Sequence, residues 1–147
     1  MQQRIVLAVG LPGSGKSTYF ARLGVHALSS DAIREQLADD PTDQAIHHRV
    51  FATIRYLLRH RLAIGRPVTY IDATNLSRRD RKHWIKIASE TGCAIEALYF
   101  DTPLDLCLAR NRLRERRVPE GVIRELAHKL TAPQLDEGFT KVEIVKP

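Results

Sequence analysis

The octet Gly10-Leu11-Pro12-Gly13-Ser14-Gly15-Lys16-Ser17 constrains this chain more than any other stretch. An apolar run, Ile5 to Val9, precedes it, and a helical pattern starts near Lys16, so the motif sits in the strand-loop-helix context it requires. The glycines let successive backbone N–H groups turn inward around a polyphosphate, and the following helix N-terminus adds partial positive charge. Gly13, Ser14, Gly15, Lys16, Ser17 and Thr18 are therefore the candidate nucleotide contacts. In this arrangement Lys16 reaches the β- and γ-phosphates of ATP or another NTP, and the Ser17 hydroxyl ligates Mg²⁺.

A loop of this kind needs a parallel sheet behind it. Apolar runs bounded by turn residues predict buried strands at Ile5 to Val9, Val25 to Leu28, Val68 to Ile71, Ile95 to Phe100 and Val142 to Val145. Helical patterns lie between them. The longest, from about Thr42 to Ile64, places Ile46, Val50, Ile54, Leu57, Leu58 and Leu62 on one stripe and stops at Gly65 and Pro67. Ser77 with Asp80 predicts a capped helix ending at Gly92, Thr102-Pro103 opens another, and Pro119 a last one. Five strands and about six helices make an α/β fold with a five-stranded parallel sheet.

The 147 residues suit one domain spanning 1–147, and no apolar run approaches a membrane span. Met1-Gln2-Gln3-Arg4 leads straight into the first strand pattern, so no signal peptide is expected and the cytoplasm is the simplest compartment. Cys93 and Cys107 have no metal or disulfide spacing. The net charge of +6 favours a polyanionic partner, and its distribution is uneven.

Strand ends in a parallel sheet line the ligand crevice, which directs attention to Ser29-Ser30-Asp31-Ala32-Ile33-Arg34. Two readings stand side by side: Asp31 accepts a hydroxyl proton while Arg34 forks onto an acceptor anion, or Asp31 caps a helix and Arg34 pairs with it. Asp72, at the end of the third strand, is either a second carboxylate for Mg²⁺ or a turn residue. Thr74 and Asn75 either touch substrate or shape the turn. Arg110, Arg112, Arg114, Arg116 and Arg117 form an arginine-rich lid at about 110–118, with Arg110 and Arg114 one helical turn apart as the leading phosphate contacts. Arg78, Arg79, Arg81 and Lys82 are a nucleic-acid phosphate track or a solvated face. His47 and His48 lack ligand spacing and are expected on the surface.

Taken together, GLPGSGKST, SSDAIR, DATN, the arginine-rich lid and the terminal EGF before a strand resemble the 5′-polynucleotide kinase domain of the phage and bacterial RNA end-healing (polynucleotide kinase-phosphatase) enzymes. The resemblance runs from Arg4 to Val145. It implies an adenylate-kinase-like P-loop fold, ATP and Mg²⁺, and a single-stranded or end-accessible nucleic acid with a 5′-hydroxyl as partner. By the same resemblance Asp31 is the general base, Arg34 grips the acceptor's first phosphate, and Arg110 and Arg114 contact the donor, with a third contact at Arg116 or Arg117. A small-molecule kinase with a sugar, nucleoside or antibiotic acceptor is the alternative. A nucleotide switch or ATPase is weaker: the nearest stretch to a guanine-reading motif, Thr140-Lys141-Val142-Glu143, ends in Glu.

Overall fold

In the computed structural model, which describes residues 2–147, five parallel strands form one sheet: β1 (Arg4–Val9), β2 (Leu28–Ser29), β3 (Val68–Asp72), β4 (Ala94–Phe100) and β5 (Lys141–Val145). Met1, part of the expected domain and N-terminus, lies outside the described residues. The strand order β2-β3-β1-β4-β5 places β1 at the centre, so the loop after it opens in mid-sheet with the ends of β3 and β4 on either side. The helices are α1 (Lys16–Leu23), α2 (Ser30–Ala38), α3 (His47–Ala63), α4 (Arg78–Thr91), α5 (Leu104–Arg112) and α6 (Glu120–Lys129), with a short 3₁₀ turn at Leu135–Glu137.

The centre of β1 is sealed on both faces, which explains its unbroken apolar run. Ile5, Leu7 and Val9 join Val50, Ile54, Leu58, Ile71, Trp84, Ile87 and Ile95 in the larger core. Val6 and Ala8 face the other way, onto Phe20, Leu98 and Phe100. The α3 stripe is buried as its spacing requires, except that Leu57 stands partly in solvent.

Two boundaries differ from expectation for identifiable reasons. The second strand is Leu28–Ser29 rather than Val25 to Leu28, because Val25 is used to stop α1. Gly24 there takes φ 70°, its N–H donates to Ala21 O, and Val25 N donates to Phe20 O. The long helix begins at His47 rather than Thr42. Asp40 Oδ1 accepts from Thr42 N and Oγ1, and Asp43 Oδ1 accepts from Ala45 N, so local side-chain turns replace helical bonds. The cap on α4 is as read: Ser77 and Asp80 form a reciprocal capping box and Gly92 ends the helix at φ 71°.

Candidate active site

The loop between β1 and α1 is shaped by its glycines. Gly13 has φ 82° and Gly15 φ 103°, both in the left-handed region, and a Cβ on Gly13 would stand 2.8 Å from Cys107 O. The loop is thus pressed against α5. Gly15 is the N-cap of α1 and supplies no side chain to the first turn, so the N–H groups of Lys16, Ser17 and Thr18 have no intrahelical acceptor. With the helix dipole behind them they form an anion site. Ser14 is buried, and its carbonyl accepts from Thr102 Oγ1 at 2.9 Å, tying the loop to the end of β4.

Lys16 is only 8% exposed, and its Nζ donates to Gly10 O at 2.9 Å and Leu11 O at 2.8 Å. Burial lowers its pKa to about 8, opposed by the nearby charges of Asp72 and Asp31 and reinforced by Arg114. Asp31, Asp72 and Arg114 therefore all fall within the electrostatic reach of one ammonium, although their positions are far apart in sequence.

Asp72 ends β3, next to β1, and its Oδ2 accepts a 2.7 Å hydrogen bond from Ser17 Oγ. Desolvation raises its pKa, against the Ser17 bond and Lys16, which lower it. This contact joins the end of β3 to the first turn of α1. A hydroxyl and a carboxylate side by side fit a hard cation such as Mg²⁺. Among the described residues no group of three His, Cys, Asp or Glu side chains is poised for a metal, so a cation here would rest on Ser17, Asp72, phosphate oxygens and water.

Asp31 and Arg34 sit in the first turns of α2, but the cap is Ser29, whose Oγ accepts from Ala32 N at 3.2 Å. Asp31 is free of capping duty. Its carboxylate is 71% exposed and accepts from Arg34 Nη1 at 3.3 Å, whereas the Arg34 side chain is 6% exposed. Arg34 Nε is sealed from solvent and has no hydrogen-bond partner. Orphaned buried donors are costly, which makes this one a place where a ligand acceptor fits. His47, at the start of α3, is within electrostatic reach of the same group: burial first, and then the Arg34 charge, lower its pKa. It is exposed as expected, yet its ring tilts onto Phe51 with centroids 4.7 Å apart.

The lid arginines divide. Arg110 Nη1 donates to Gly13 O at 3.2 Å, on the loop itself. Arg114 is not on the same helix, since α5 ends at Arg112, and the expected one-turn pairing with Arg110 does not form. Arg112 is engaged by Glu120 at 2.7 Å, and Arg116 reaches Glu35 of α2 at 3.3 Å. Arg117 is exposed and without a side-chain partner among the described residues. The segment is closed as a loop by buried Asn111, which donates to Val118 O and accepts from Val118 N.

The second basic cluster is largely structural. Arg81 is fully buried, bonded through Nε and Nη2 to both Glu137 oxygens at 2.8 and 3.0 Å and through Nη1 to Asn75 O, Leu76 O and Thr131 O. Arg78 pairs with Asp136. The track reading fails for Arg81, which is buried, while Arg78 is exposed in a surface pair and Arg79 and Lys82 face solvent unpaired among the described residues. Asn75 is likewise a turn residue, at φ 47°, donating to Ala8 O and accepting from Trp84 Nε1. The roles of Thr102, read only as opening a helix, and of Asn111 and Glu137 were not read from the sequence. Only Glu137 left a signal there, in the EGF triplet.

A central phosphate-binding loop and a parallel sheet in this order, with an arginine-rich segment beside the loop, define a P-loop fold of the kind kinases share. More particularly, the chain belongs to the AAA domain family, whose model matches residues 5–133. It is similar to the bifunctional polynucleotide phosphatase/kinase of Schizosaccharomyces pombe, 27% identical over 152 residues, covering 97% of this chain and 33% of the relative. It is also similar to the L-seryl-tRNA(Sec) kinase of Methanococcus maripaludis, 26% identical, covering 88% of this chain and 53% of that one. The chain thus spans a third to about half of the length of these two relatives. Among solved structures, a sugar kinase from Janibacter superposes with a TM-score of 0.68 at 20% identity, over 99% of this chain and 86% of the other, which shows the shared fold. Among the described residues no helix is long and apolar enough to cross a membrane.

Proposed function

We propose that this chain transfers the γ-phosphate of ATP or another NTP to the 5′-hydroxyl end of RNA or DNA, as the kinase part of an end-healing system of the phage and bacterial type. The observation that carries the reading is the acceptor side. Asp31 is exposed and uncapped, held by a buried Arg34 whose Nε has no partner, within the field of the loop lysine. A carboxylate so placed orients and deprotonates an incoming hydroxyl, and a guanidinium with an unmet donor suits the adjacent phosphate. On the donor side Lys16 and the first N–H groups of α1 hold the triphosphate, and Ser17 with Asp72 would hold Mg²⁺, which supplies charge neutralisation between the phosphates. Arg110, bonded to the loop at Gly13 O, and Arg114, whose charge is felt at Lys16, would neutralise the transferring group from the lid. Both curated relatives bear names of kinases, one of polynucleotides and one of an aminoacyl-tRNA.

The test incubates the protein with labelled Mg·ATP and matched 5′-OH oligonucleotides of RNA and of DNA, beside a panel of sugars and nucleosides. The expected product is a 5′-phosphorylated oligonucleotide. Asp31→Ala should lower transfer by about 10² or more while still binding ATP. Undiminished transfer in that variant overturns the role of Asp31. Labelling of a sugar or nucleoside with no labelled oligonucleotide makes the chain a small-molecule kinase instead.

A further inference from the structure

The helix α3 carries no carboxylate. Its seventeen residues, HHRVFATIRYLLRHRLA, hold Arg49, Arg55, Arg59 and Arg61 with His47, His48 and His60. Val50, Ile54, Leu58 and Leu62 take the buried face. Arg61 is committed to the sheet, through Nε to Thr69 Oγ1 at 3.0 Å and Nη2 to Val68 O at 2.8 Å. The other cations point outward. Arg49 and Arg59 are exposed and Arg55 is half-buried, and the nearest acid is Glu90 of α4, which meets Arg59 at 3.3 Å with both side chains about half in water.

Interleaved with these arginines is an aromatic pair the core does not use. Tyr56 is 56% exposed, and its ring lies against His60 with centroids 4.4 Å apart. Ala52, Arg55, Tyr56, Arg59 and His60 line a shallow groove of about 390 Å³. At 1.5 Å per residue the surface from Arg49 to His60 runs for about 17 Å, a few nucleotides' worth of chain. The helix packs against α2, which carries Asp31 and Arg34. The cationic face therefore belongs to the element beside the one that carries the acceptor candidates.

We propose that the outer face of α3, built from Arg49, Arg55, Arg59, Tyr56 and His60, is the docking track for the single-stranded nucleic acid trailing from the acceptor end. This rests on the nucleic-acid acceptor reading above. Guanidiniums follow the phosphates and the exposed rings receive a base, the combination by which single strands are held without sequence choice. An acidic protein surface would be met by the same charge, but it gives no role to a solvent-facing aromatic pair.

Two measurements separate the outcomes: equilibrium binding of a labelled 5′-OH 20-mer across a salt series, and kcat/KM for the 20-mer against a dinucleotide. In the Arg49→Gln/Arg55→Gln/Arg59→Gln variant the slope of log affinity on log salt should fall by about 2, and the advantage of the 20-mer over the dinucleotide should be lost. Tyr56→Ala should weaken 20-mer binding about fivefold or more. A charge-matched control, Arg22→Gln/Arg66→Gln/Lys129→Gln, should keep both the slope and the length advantage. An unchanged slope in the α3 variant, an equal loss on both acceptor lengths, or an equal loss in the control overturns the track while leaving the acceptor reading in place. Arginine-dependent binding of the 20-mer with no phosphate transfer by the unaltered protein does the reverse.

Discussion

Lys16 illustrates how a single residue carries both the cost and the use of this site. The loop takes its ammonium out of water, and the two carbonyls that receive it, with Asp72 and Asp31 nearby, offset burial only in part, leaving a pKa of about 8 against an ordinary 10.5. Between about pH 8 and 10.5 the folded chain thus binds fewer protons than the unfolded chain, and the stability this group contributes rises with pH through that window. A triphosphate beside Nζ favours the charged form. ATP binding at about pH 8.5 should therefore take up a fraction of a proton, which calorimetry in two buffers of different ionisation heat will measure, and Lys16→Met should abolish it. No uptake in the unaltered protein would remove Lys16 from the phosphate site. Asp31 and Arg34 were legible as a pair from their spacing of three. That Ser29 rather than Asp31 caps α2, and that Arg34 pairs with Asp31 while its Nε stays buried and unpartnered, was not legible, because spacing reports neither.

At the scale of elements the instructive case is α4 with the turn at Leu135–Glu137. Four cations near the start of a helix looked like a phosphate track or a solvated face, but a sequence does not say which cation turns inward or finds a partner 56 residues away. Arg81 turns inward. It bonds Glu137 with both side chains at most 3% exposed, and its third nitrogen gathers the carbonyls of the DATN turn and of Thr131. Gly138, at φ 123°, bends the chain so close to Ile85 that a Cβ would stand 2.8 Å from its methyl, and Phe139 drops into the core. The EGF triplet is thus a clasp on α4. Arg81→Met leaves Glu137 charged and unpaired and should cost about 3–5 kcal/mol in urea unfolding. The double change Arg81→Met/Glu137→Leu should cost less than that single change, since it removes the stranded charge. A loss under 1 kcal/mol for Arg81→Met would mean the clasp does not hold the helix. The lid was legible as an arginine run, but its division of labour was set by Glu120, Glu35 and Asn111, each outside the run or uncharged.

For the molecule as a whole, the strand order converts distant residues into one site: β1 ends in the loop, its neighbour β3 ends in Asp72, and β2 pairs Ser29 with Asp72 just before Asp31. Continuous apolar runs announced the strands because both faces of the central ones are covered, and the loop motif fixed β1 and α1 beside each other. The edge strand β2 was misplaced because it is two residues long and carries little hydrophobic signal. Since the loop is fastened to the sheet at Thr102 and Gly10 N, which donates to Thr74 O, nucleotide binding should stabilise the fold as a unit. At a hundred times its dissociation constant a ligand adds about 2.7 kcal/mol, which for a chain of this size raises Tm by about 5–10 °C. Mg·ATP should produce that shift, and ATP with a chelator a smaller one, because Ser17 and Asp72 then face the phosphates without a cation between them. Asp72→Ala should lose most of the difference between the two conditions while still responding to ATP. Equal shifts with and without Mg²⁺ in the unaltered protein would show that the Ser17 and Asp72 oxygens do not hold the metal, and would leave their 2.7 Å bond as a purely structural link between α1 and β3.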